Sequence, residues 1–323
     1  MIRYHSCLRA VAWMLALTLL SACLFSCKGE GETEGEEYLR FVDSTGETVV
    51  LSHRPIRVAV LFSSFAEMWQ LAGGTVAVSV GESIERGFCP SDTPLVDAGA
   101  GKTVNAEQLI AHRPDFVIAS ADVAAQSNAV QLLREAGIPC ARFRVESFAD
   151  YLSVFETMTL ITGDGEAYER YGLAVKREID TLKNTYGECD GGSILFIRAG
   201  SSARSTKAKN SEGHFAAAML EELGCSNLAN RAPILMDGLS IEEILSCDPD
   251  RIFVTTMGDE DAAVAYWESL VSSKAWQSLS AVKEGRVYLL PKALFQFKPN
   301  ARWGEAYRYL AEILYETDSH TNQ

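Results

Sequence analysis

The sequence has little histidine, the commonest side-chain ligand of metal centres and a frequent general base of hydrolytic active sites. It holds only 5 histidines, and the three in the expected folded part, His53, His112 and His214, lie far apart with no histidine-rich loop. Tight zinc or manganese sites need several nitrogen, oxygen or sulfur ligands together, so we predict no bare-metal site. The chain also lacks a G-x-S-x-G elbow, an H-E-x-x-H pair and a Ser/His/Asp set in recognisable context. We therefore predict that it is not an enzyme, with an exported hydrolase as the alternative class.

Positive charge is scarce as well. The sequence has 29 lysines and arginines against 43 aspartates and glutamates, which gives a formal net charge of −14. Because so negative a surface repels phosphate backbones and anionic lipid headgroups, nucleic acid is not an expected partner. Long hydrophobic runs are missing beyond the N-terminus, so no other segment is expected to span a membrane.

Residues 1–22 have the pattern of a bacterial lipoprotein signal peptide. A basic start and a short apolar stretch lead to Leu-Ser-Ala-Cys at 20–23, which has the small residues and the cysteine of the cleavage site. Cys23 is therefore the predicted lipid anchor. Cys27 is a second, poorer candidate, because the bulky Phe25 precedes it. The alternative is an uncleaved apolar tail with incidental cysteines.

Residues 23–37 are predicted to form an acidic, disordered tether. Glutamates stand among glycines there, and such a run cannot bury apolar surface. We therefore expect an exported protein, lipid-anchored to the cell membrane and facing a periplasm or the cell exterior. Loss of residues 1–22, which hold two arginines and no acids, changes the net charge from −14 to −16. Six cysteines would remain besides Cys23, none in a C-x-x-C spacing, and their disulfide state is left open.

One pattern occurs twice in the chain. Asn-Ala-Glu-Gln-Leu-Ile at 105–110 precedes Pro-Asp-Phe-Val-Ile at 114–118, and Ser-Ile-Glu-Glu-Ile-Leu at 240–245 precedes Pro-Asp-Arg-Ile-Phe-Val at 249–254. Each copy predicts a capped short helix, a Pro-Asp turn and a buried strand. The copies are too far apart for a solenoid unit, so they indicate two α/β lobes that face each other across a cleft.

Alternating strand and helix patterns give the predicted boundaries. Residues 38–147 form an N-terminal α/β lobe, and residues 188–316 form a C-terminal α/β lobe followed by a tail at 317–323. Residues 148–187 form a bridging helical segment, whose second part carries an apolar residue every three or four positions. The predicted fold is thus two Rossmann-like α/β lobes joined by a single long bridging helix.

The order of these motifs resembles the substrate-binding lipoproteins of ABC importers for iron siderophores, haem and vitamin B12, the class III periplasmic binding proteins. The resemblance covers residues 38–316 and includes a strand-Ser-Ser-helix unit, both Pro-Asp repeats and Glu-Leu-Gly-Cys-Ser-Asn at 222–227. It implies a monomer that captures an iron chelate and delivers it to a permease and ATPase complex, with no enzymatic chemistry. Siderophore, haem and corrinoid are left open as cargo.

The resemblance also gives a role to Glu107 and Glu242, which occupy matching positions in the two repeats. In this family one carboxylate on each lobe docks into an arginine pocket of the two-fold permease. Paired acids on a pseudo-symmetric surface suit two symmetry-related basic sockets. The alternative is that both are ordinary first-turn acids that interact with the helix dipole.

Ligand-binding residues are expected in loops at the carboxyl ends of the strands, where open α/β sheets form their crevices. Ser63 and Ser64 follow the first parallel strand and are also expected to cap the helix after it. Four cations fall within residues 198–209 of an acidic chain, and Lys298 stands beside aromatic residues. Cations with aromatic rings suit a large anion; the alternative is a solvated basic loop. The predicted ligand residues are Ser63, Ser64, Phe65, Gly99, Lys102, Arg198, Arg204, Lys207, Lys209, His214, Phe297, Lys298 and Trp303.

His214 is a candidate of a different kind. It stands one residue before the apolar start of a helix in the C-terminal lobe, so it is a candidate axial ligand for haem iron. The alternative is the commoner role of a lone histidine near a helix start, as a cap or a surface residue.

Overall fold

The computed structural model describes residues 37–97 and 103–316. Within them, helices pack against two separate sheets of mostly parallel strands, which confirms the predicted α/β class. The predicted signal peptide, the Cys23 anchor, most of the acidic tether, Gly99, Lys102 and the tail lie outside the described residues.

The N-terminal lobe is built on a four-stranded parallel sheet that follows an antiparallel hairpin. The hairpin strands are β1 (Leu39–Val42) and β2 (Thr48–Leu51), and the sheet strands are β3 (Val58–Val60), β4 (Val76–Val78), β5 (Phe116–Ser120) and β6 (Cys140–Phe143). The sheet has the order β4-β3-β5-β6. Every residue of β3 and β5 is buried, as expected for parallel strands covered on both faces.

In its described residues this lobe has four helices. They are α1 (Ser63–Leu71), α2 (Gly81–Glu85), α3 (Ala106–Ala111) and α4 (Ala124–Glu135). Helix α1 buries Trp69, whose indole N–H donates to the carbonyl oxygen of Thr75 at 3.0 Å. A Cβ atom at Gly74 would lie 2.2 Å from that indole, so the turn after α1 requires glycine. The Trp69 ring thereby fixes the path from α1 into β4.

A helical segment connects the two sheets. Its parts are α5 (Phe148–Thr162), α6 (Gly165–Tyr168), a π-helical turn (Glu169–Leu173) and α7 (Ala174–Tyr186). Ser147 and Asp150 form a capping box at the start of α5, and Gly163 ends that helix in the left-handed conformation. From Gly165 to Tyr186 the chain stays helical, about 33 Å at the α-helical rise. Val175 and Ile179 on α7 are buried.

The C-terminal lobe has a mixed sheet. Its strands are β7 (Ser193–Ala199), β8 (Lys207–Ala208), β9 (Ser226–Asn227), β10 (Arg251–Thr256) and β11 (Val287–Leu289). The order is β11-β10-β7-β8, with β9 also on β7, and β8 is antiparallel to β7. The helices are α8 (Phe215–Glu222), α9 (Leu228–Arg231), α10 (Ile241–Cys247), α11 (Glu260–Val271), α12 (Ser280–Lys283), α13 (Lys292–Phe295) and α14 (Trp303–Ala311), which continues into a π-helical turn (Glu312–Glu316).

Each repeated Pro-Asp turn has the same structural task. Asp115 accepts hydrogen bonds from the backbone N–H groups of Ile56 and Arg57 at 2.8 and 2.9 Å, just before β3. Asp250 accepts from the N–H and the hydroxyl of Ser193, both at 2.7 Å, at the start of β7. Asp115 thus ties the start of β5 to the start of β3, and Asp250 ties the start of β10 to the start of β7.

The strand orders show where each sheet leaves room for a ligand. In the N-terminal sheet the chain goes from β3 to one side and then returns to the other side at β5. In the C-terminal sheet the same reversal lies between β7 and β10. Loops that leave such a reversal point in opposite directions leave a crevice at the carboxyl ends of the two strands. The expected crevices are therefore next to Ser63 and Ser120 in one lobe and next to Arg198 and Thr255 in the other.

In the part of the chain that the structure describes, no helix is both long and apolar enough to cross a membrane. The five cysteines in this part are free thiols: Cys89, Cys140 and Cys225 are buried, and Cys189 and Cys247 are exposed.

Candidate functional site

A cavity of about 510 Å³ lies where the two lobes meet. The N-terminal lobe contributes the segments that follow β3, β4, β5 and β6, and the C-terminal lobe contributes the segment 296–300. The cavity therefore opens at the crevice that the strand order of the N-terminal sheet predicts. Its walls are formed by Phe62, Ser63, Ser64, Phe65, Glu82, Glu85, Arg86, Ser120, Asp122, Val123, Val145, Glu146, Gln296, Phe297, Lys298 and Asn300.

Ser63 and Ser64 line this cavity but do not cap α1, so the capping prediction was wrong. The N-cap residue is Phe62, whose side chain makes no capping hydrogen bond. Ser63 Oγ donates to Glu82 Oε2 at 2.8 Å, and Arg86 Nη1 donates to Ser63 Oγ at 2.9 Å and to Ser64 Oγ at 3.2 Å. Hydrogen bonds to charged groups are the stronger ones, which explains why the hydroxyls turn away from the helix.

Arg86 is a cavity residue that no motif in the sequence marks. Its guanidinium carbon lies 4.1 Å from the ring centre of Phe297, on the other lobe, and 4.7 Å from that of Phe88. Burial lowers the pKa of Arg86, and the carboxylates of Glu67 and Glu82 act in the opposite direction. A guanidinium held between aromatic rings can bind planar carboxylate or catecholate oxygens.

The segment 296–300 brings the predicted residues Phe297 and Lys298 to the cavity. Lys298 Nζ lies 3.0 Å from Glu146 Oε2 of the N-terminal lobe. Thr256 Oγ1, at the carboxyl end of β10, donates to Gln296 Oε1 at 2.6 Å. The segment thus connects the crevice of the C-terminal sheet with the wall of the N-terminal lobe.

The cavity wall is more acidic than the sequence predicted. The sequence places Asp122 in a loop that follows a strand, where ligand residues are expected, but Glu82, Glu85 and Glu146 were missed because they stand in separate segments without a common motif. Asp122 forms an ion pair with Arg144 at 2.5 Å, outside the cavity lining. The charged side chains on the wall are Glu82, Glu85, Asp122 and Glu146 against Arg86 and Lys298. Any strongly positive field in the cleft must therefore come from the C-terminal lobe.

Arg198, Lys207 and Lys209 of the C-terminal lobe form a concentration of positive charge that we call the basic group, although none of the three is among the lining residues of the cavity named above. Strands β7 and β8 pair so that Arg198 stands directly opposite Lys207. Among the described residues, none of the three has a carboxylate within ion-pair distance. Arg198 Nε is buried without a hydrogen-bond partner, and so is the hydroxyl of Thr255, its register partner on β10. Arg204 is exposed in the loop between β7 and β8.

The positive charges of the basic group weaken one another. Burial lowers the pKa of Lys209, and the charges of Arg198 and then Lys207 lower it further. Like charges directly opposite on paired strands are unfavourable. A bound anion would relieve this repulsion and would give the partnerless Arg198 Nε an acceptor. The arrangement therefore fits an anion site.

His214 caps α8 beside the basic group. Its Nδ1 accepts from the backbone N–H of Ala216 at 3.1 Å, and its ring stacks on Phe215 at 4.8 Å between ring centres. Burial, followed by the charges of Lys298 and of two members of the basic group, lowers the pKa of His214 to about 3. The imidazole is therefore neutral at physiological pH. A haem iron would have to bind Nε2, because Nδ1 is engaged by the helix.

Trp303 does not line the cavity. It is 1% exposed and packs edge-on against Phe148 at 6.1 Å and Phe215 at 5.2 Å, between ring centres. The residue begins α14, and that helix turns its first residues into a core shared by both lobes. Trp303, which follows a cationic loop in the sequence, is thus a core residue and not a ligand residue. Phe65 belongs to the core and also lines the cavity.

Glu107 and Glu242 lie away from the cavity lining. Each is an exposed first-turn residue, on α3 and α10 respectively. The helices start alike, because Asn105 accepts from the N–H of Gln108 and Ser240 accepts from the N–H three residues after it. Among the described residues, no cluster of three or more His, Cys, Asp or Glu side chains could hold a metal ion.

Two α/β lobes with facing crevices, joined by a helical segment, define a bilobal binding protein. The chain belongs to the periplasmic binding protein family, whose model matches residues 58–294. The family resemblance seen in the sequence is thereby confirmed.

Named relatives agree with this assignment. The chain is 24% identical over 284 residues to the ABC transporter substrate-binding lipoprotein YvrC of Bacillus subtilis (strain 168), with 84% of each chain covered. It is similar in structure to Staphylococcus aureus SirA complexed with staphyloferrin B, with a TM-score of 0.63, 20% identity and coverage of 87% of this chain and 98% of that one. The periplasmic heme-binding protein RhuT from Roseiflexus sp. RS-1 has a TM-score of 0.64 and 17% identity, with 80% and 98% covered. The two structural likenesses show a shared fold.

Proposed function

We propose that the protein is the extracytoplasmic substrate-binding subunit of an ABC importer and that its cargo is an anionic iron chelate, a siderophore or haem. The basic group carries this proposal. Three cations without carboxylate partners among the described residues stand at the carboxyl end of β7, in a chain whose net charge is −14. Such a local concentration of positive charge is unfavourable unless an anion binds there.

The residues that line the cavity suit the same class of ligand. Arg86 of the N-terminal lobe and Lys298 of the C-terminal lobe supply charge-assisted donors, and Phe297 supplies an aromatic face next to Arg86. Catecholate or carboxylate oxygens of a chelate, or the propionates of haem, are acceptors of the required kind. The named ligands of SirA and RhuT, staphyloferrin B and heme, belong to this class and support the choice.

Delivery to the permease is assigned to Glu107 and Glu242. The two carboxylates are exposed at matching positions of α3 and α10, and neither lines the cavity. We propose that the protein acts as a monomer whose two lobes present one acid each to a two-fold permease that couples to its ATPase.

Membrane attachment is assigned to Cys23. The cleavage-site pattern at 20–23 and the naming of YvrC as a lipoprotein support this assignment. Stable anchoring by acyl chains takes two signals or more, so we expect a multiply acylated cysteine. Intact-mass analysis of detergent-extracted protein tests it, and an unmodified mass or acylation at Cys27 would contradict it.

Titration of the purified protein with four metal complexes tests the cargo. Haem, a ferric tris-catecholate and ferric citrate are the anionic probes, and cyanocobalamin is the neutral one, with binding followed by quenching of tryptophan fluorescence. We expect at least one anionic complex to bind with an affinity that falls as salt rises. Tight, salt-independent binding of cyanocobalamin alone would replace the iron chelate with a corrinoid as cargo.

A further inference from the structure

Glu146 and Lys298 form an ion pair across the cleft. Glu146 follows β6 of the N-terminal lobe, and its backbone N–H donates to Asp150 Oδ2 at 3.0 Å in the capping region of α5. Lys298 belongs to the segment 296–300 of the C-terminal lobe. Its Nζ lies 3.0 Å from Glu146 Oε2, and both residues line the cavity of about 510 Å³. A side chain of the protein itself therefore holds a cation of the proposed anion site.

We propose that Glu146 competes with the cargo for Lys298, so that it acts as a specificity-determining residue. The inference rests on the proposed function, because it supposes an anionic cargo. Lys298 is only 22% exposed and lies 4.8 Å from the ring centre of Phe215, whereas Glu146 is 62% exposed. When an acidic group of the cargo arrives, the carboxylate of Glu146 can move into water at little cost, and the ammonium group stays in place.

This exchange makes binding depend on the charge of the cargo. An anionic group of the cargo takes the place of the Glu146 carboxylate next to Lys298, so Lys298 again has an ion-pair partner. A neutral complex that enters the same space cannot displace Glu146, and if it separates the pair it leaves Lys298 without compensation. Glu146 thus slightly lowers the affinity for every anionic cargo. It disfavours neutral competitors more strongly, because a neutral complex that separates the ion pair leaves the charge of Lys298 uncompensated.

Glu146→Gln tests the competition, with Glu85→Gln as the matched control. Glu85 is another exposed carboxylate on the same cavity wall, and the ion pair of Lys298 is with Glu146 and not with Glu85. We expect Glu146→Gln to tighten binding of whichever of haem, ferric tris-catecholate and ferric citrate the wild type binds, by about two- to fivefold, the range for a partly exposed ion pair. Glu85→Gln should give a smaller gain in affinity, because it removes only a long-range repulsion between the cavity wall and the anion.

Repeating both glutamine substitutions in a Lys298→Ala variant separates competition for Lys298 from the long-range effect of negative charge on the cavity wall. In that background the gain from Glu146→Gln should fall to the size of the gain from Glu85→Gln, since only the long-range repulsion of the anion is then removed. Equal gains from both glutamine variants when Lys298 is present, or a gain from Glu146→Gln that keeps its full size in the Lys298→Ala background, would overturn the inference. Weaker binding in Glu146→Gln would also overturn it, because Glu146 would then be a contact of the cargo.

Failure of the inference and failure of the proposed function give different results. If the wild type binds none of the three anionic complexes, the proposed function is wrong and the inference falls with it. If the wild type binds one of them and Glu146→Gln leaves its affinity unchanged, only the inference is wrong. Glu146 is exposed and Asp150 bonds to its backbone, so the substitution preserves the cap; urea unfolding of each variant checks this.

Discussion

Asn300 of the C-terminal lobe donates through Nδ2 to the Glu67 carboxylate on α1 of the N-terminal lobe, at 2.6 Å, and to the carbonyl oxygen of Ser64 at 3.1 Å. Asn300 is fully buried and has a φ of 50°, a left-handed conformation that asparagine tolerates better than most residues. Burial raises the pKa of Glu67, while the hydrogen bond from Asn300 lowers it. The pair joins the lobes at the cavity wall.

Asn300→Ala should lower the free energy of unfolding. It removes a donor from a partly buried carboxylate and from a buried carbonyl group, which costs about 1–3 kcal/mol. Alanine also adopts the left-handed conformation less readily than asparagine. Urea unfolding measures the loss. Asn300→Gly is the matched control, since it loses the same hydrogen bonds without the backbone strain, so it should be destabilised less than the alanine variant. If both variants were as stable as the wild type, the hydrogen bonds of Asn300 would not contribute to the free energy of unfolding.

His214 should make the protein less stable in mild acid. Its folded-state pKa of about 3 lies below the usual value of 6.5 for the unfolded chain. The unfolded state therefore binds the proton first, so stability present above about pH 6.5 is lost as the pH falls toward the folded-state pKa. Between pH 6.5 and pH 5 the loss from this one group is at most about 2 kcal/mol. Urea unfolding at both pH values measures it.

His214→Asn is the control for that loss. Asparagine is a good N-cap residue and can still accept from the N–H of Ala216, but it does not titrate. The variant should lose less stability than the wild type over the same pH range. An identical pH dependence in the two proteins would assign the acid sensitivity to other groups.

The repeated Pro-Asp pattern predicted two lobes from the sequence because its signals are local. Helix caps, prolines and apolar runs act over a few residues, so both copies could be recognised without knowing their partners. The partners themselves were not predictable. Asp115 binds the backbone before β3 and Asp250 binds Ser193, 57 positions upstream, and no local pattern announces contacts of that length.

The cavity shows the same limit more strongly. Ser63 and Phe297 were predicted because they follow strands or stand beside cations in sequence. Arg86 was missed, since its place depends on Phe297 arriving from the other lobe. Trp303 was misplaced for the converse reason: it follows Lys298 and Arg302 in the sequence, but the packing of α14 puts its ring in the core. Contacts between lobes decide both cases, and a single sequence carries no local signal for them.

Glu107→Ala and Glu242→Ala should each impair transport while leaving cargo affinity unchanged. Both side chains are exposed and lie outside the cavity lining, so their loss affects docking and not capture. Lysine at either position should impair transport more, because like charges would then meet at a basic socket. Uptake of the iron complex by host cells, alongside fluorescence titration of the purified variants, measures the two effects.

Glu268→Ala is the control for docking, because Glu268 is an exposed acid on α11 outside the repeats. Its transport should equal that of the wild type. Wild-type uptake by a Glu107→Ala, Glu242→Ala double variant would leave the two acids as ordinary helix-dipole partners.

Lys209→Ala should weaken binding of the anionic complex that the wild type takes, by about 1–3 kcal/mol, the range for a charge-assisted hydrogen bond. Lys209 is partly buried, and the neighbouring charges of Arg198 and Lys207 lower its pKa, so its ammonium group gains more from an anion than a solvated lysine would. Titrations at increasing sodium chloride should show a shallower salt dependence in the variant. Arg204→Ala is the matched control: it removes the same charge from an exposed position in the β7–β8 loop, where water and salt screen it. A loss equal to that of Lys209→Ala would mean that the lobe attracts its cargo by overall charge, and the basic group would then not be a binding site.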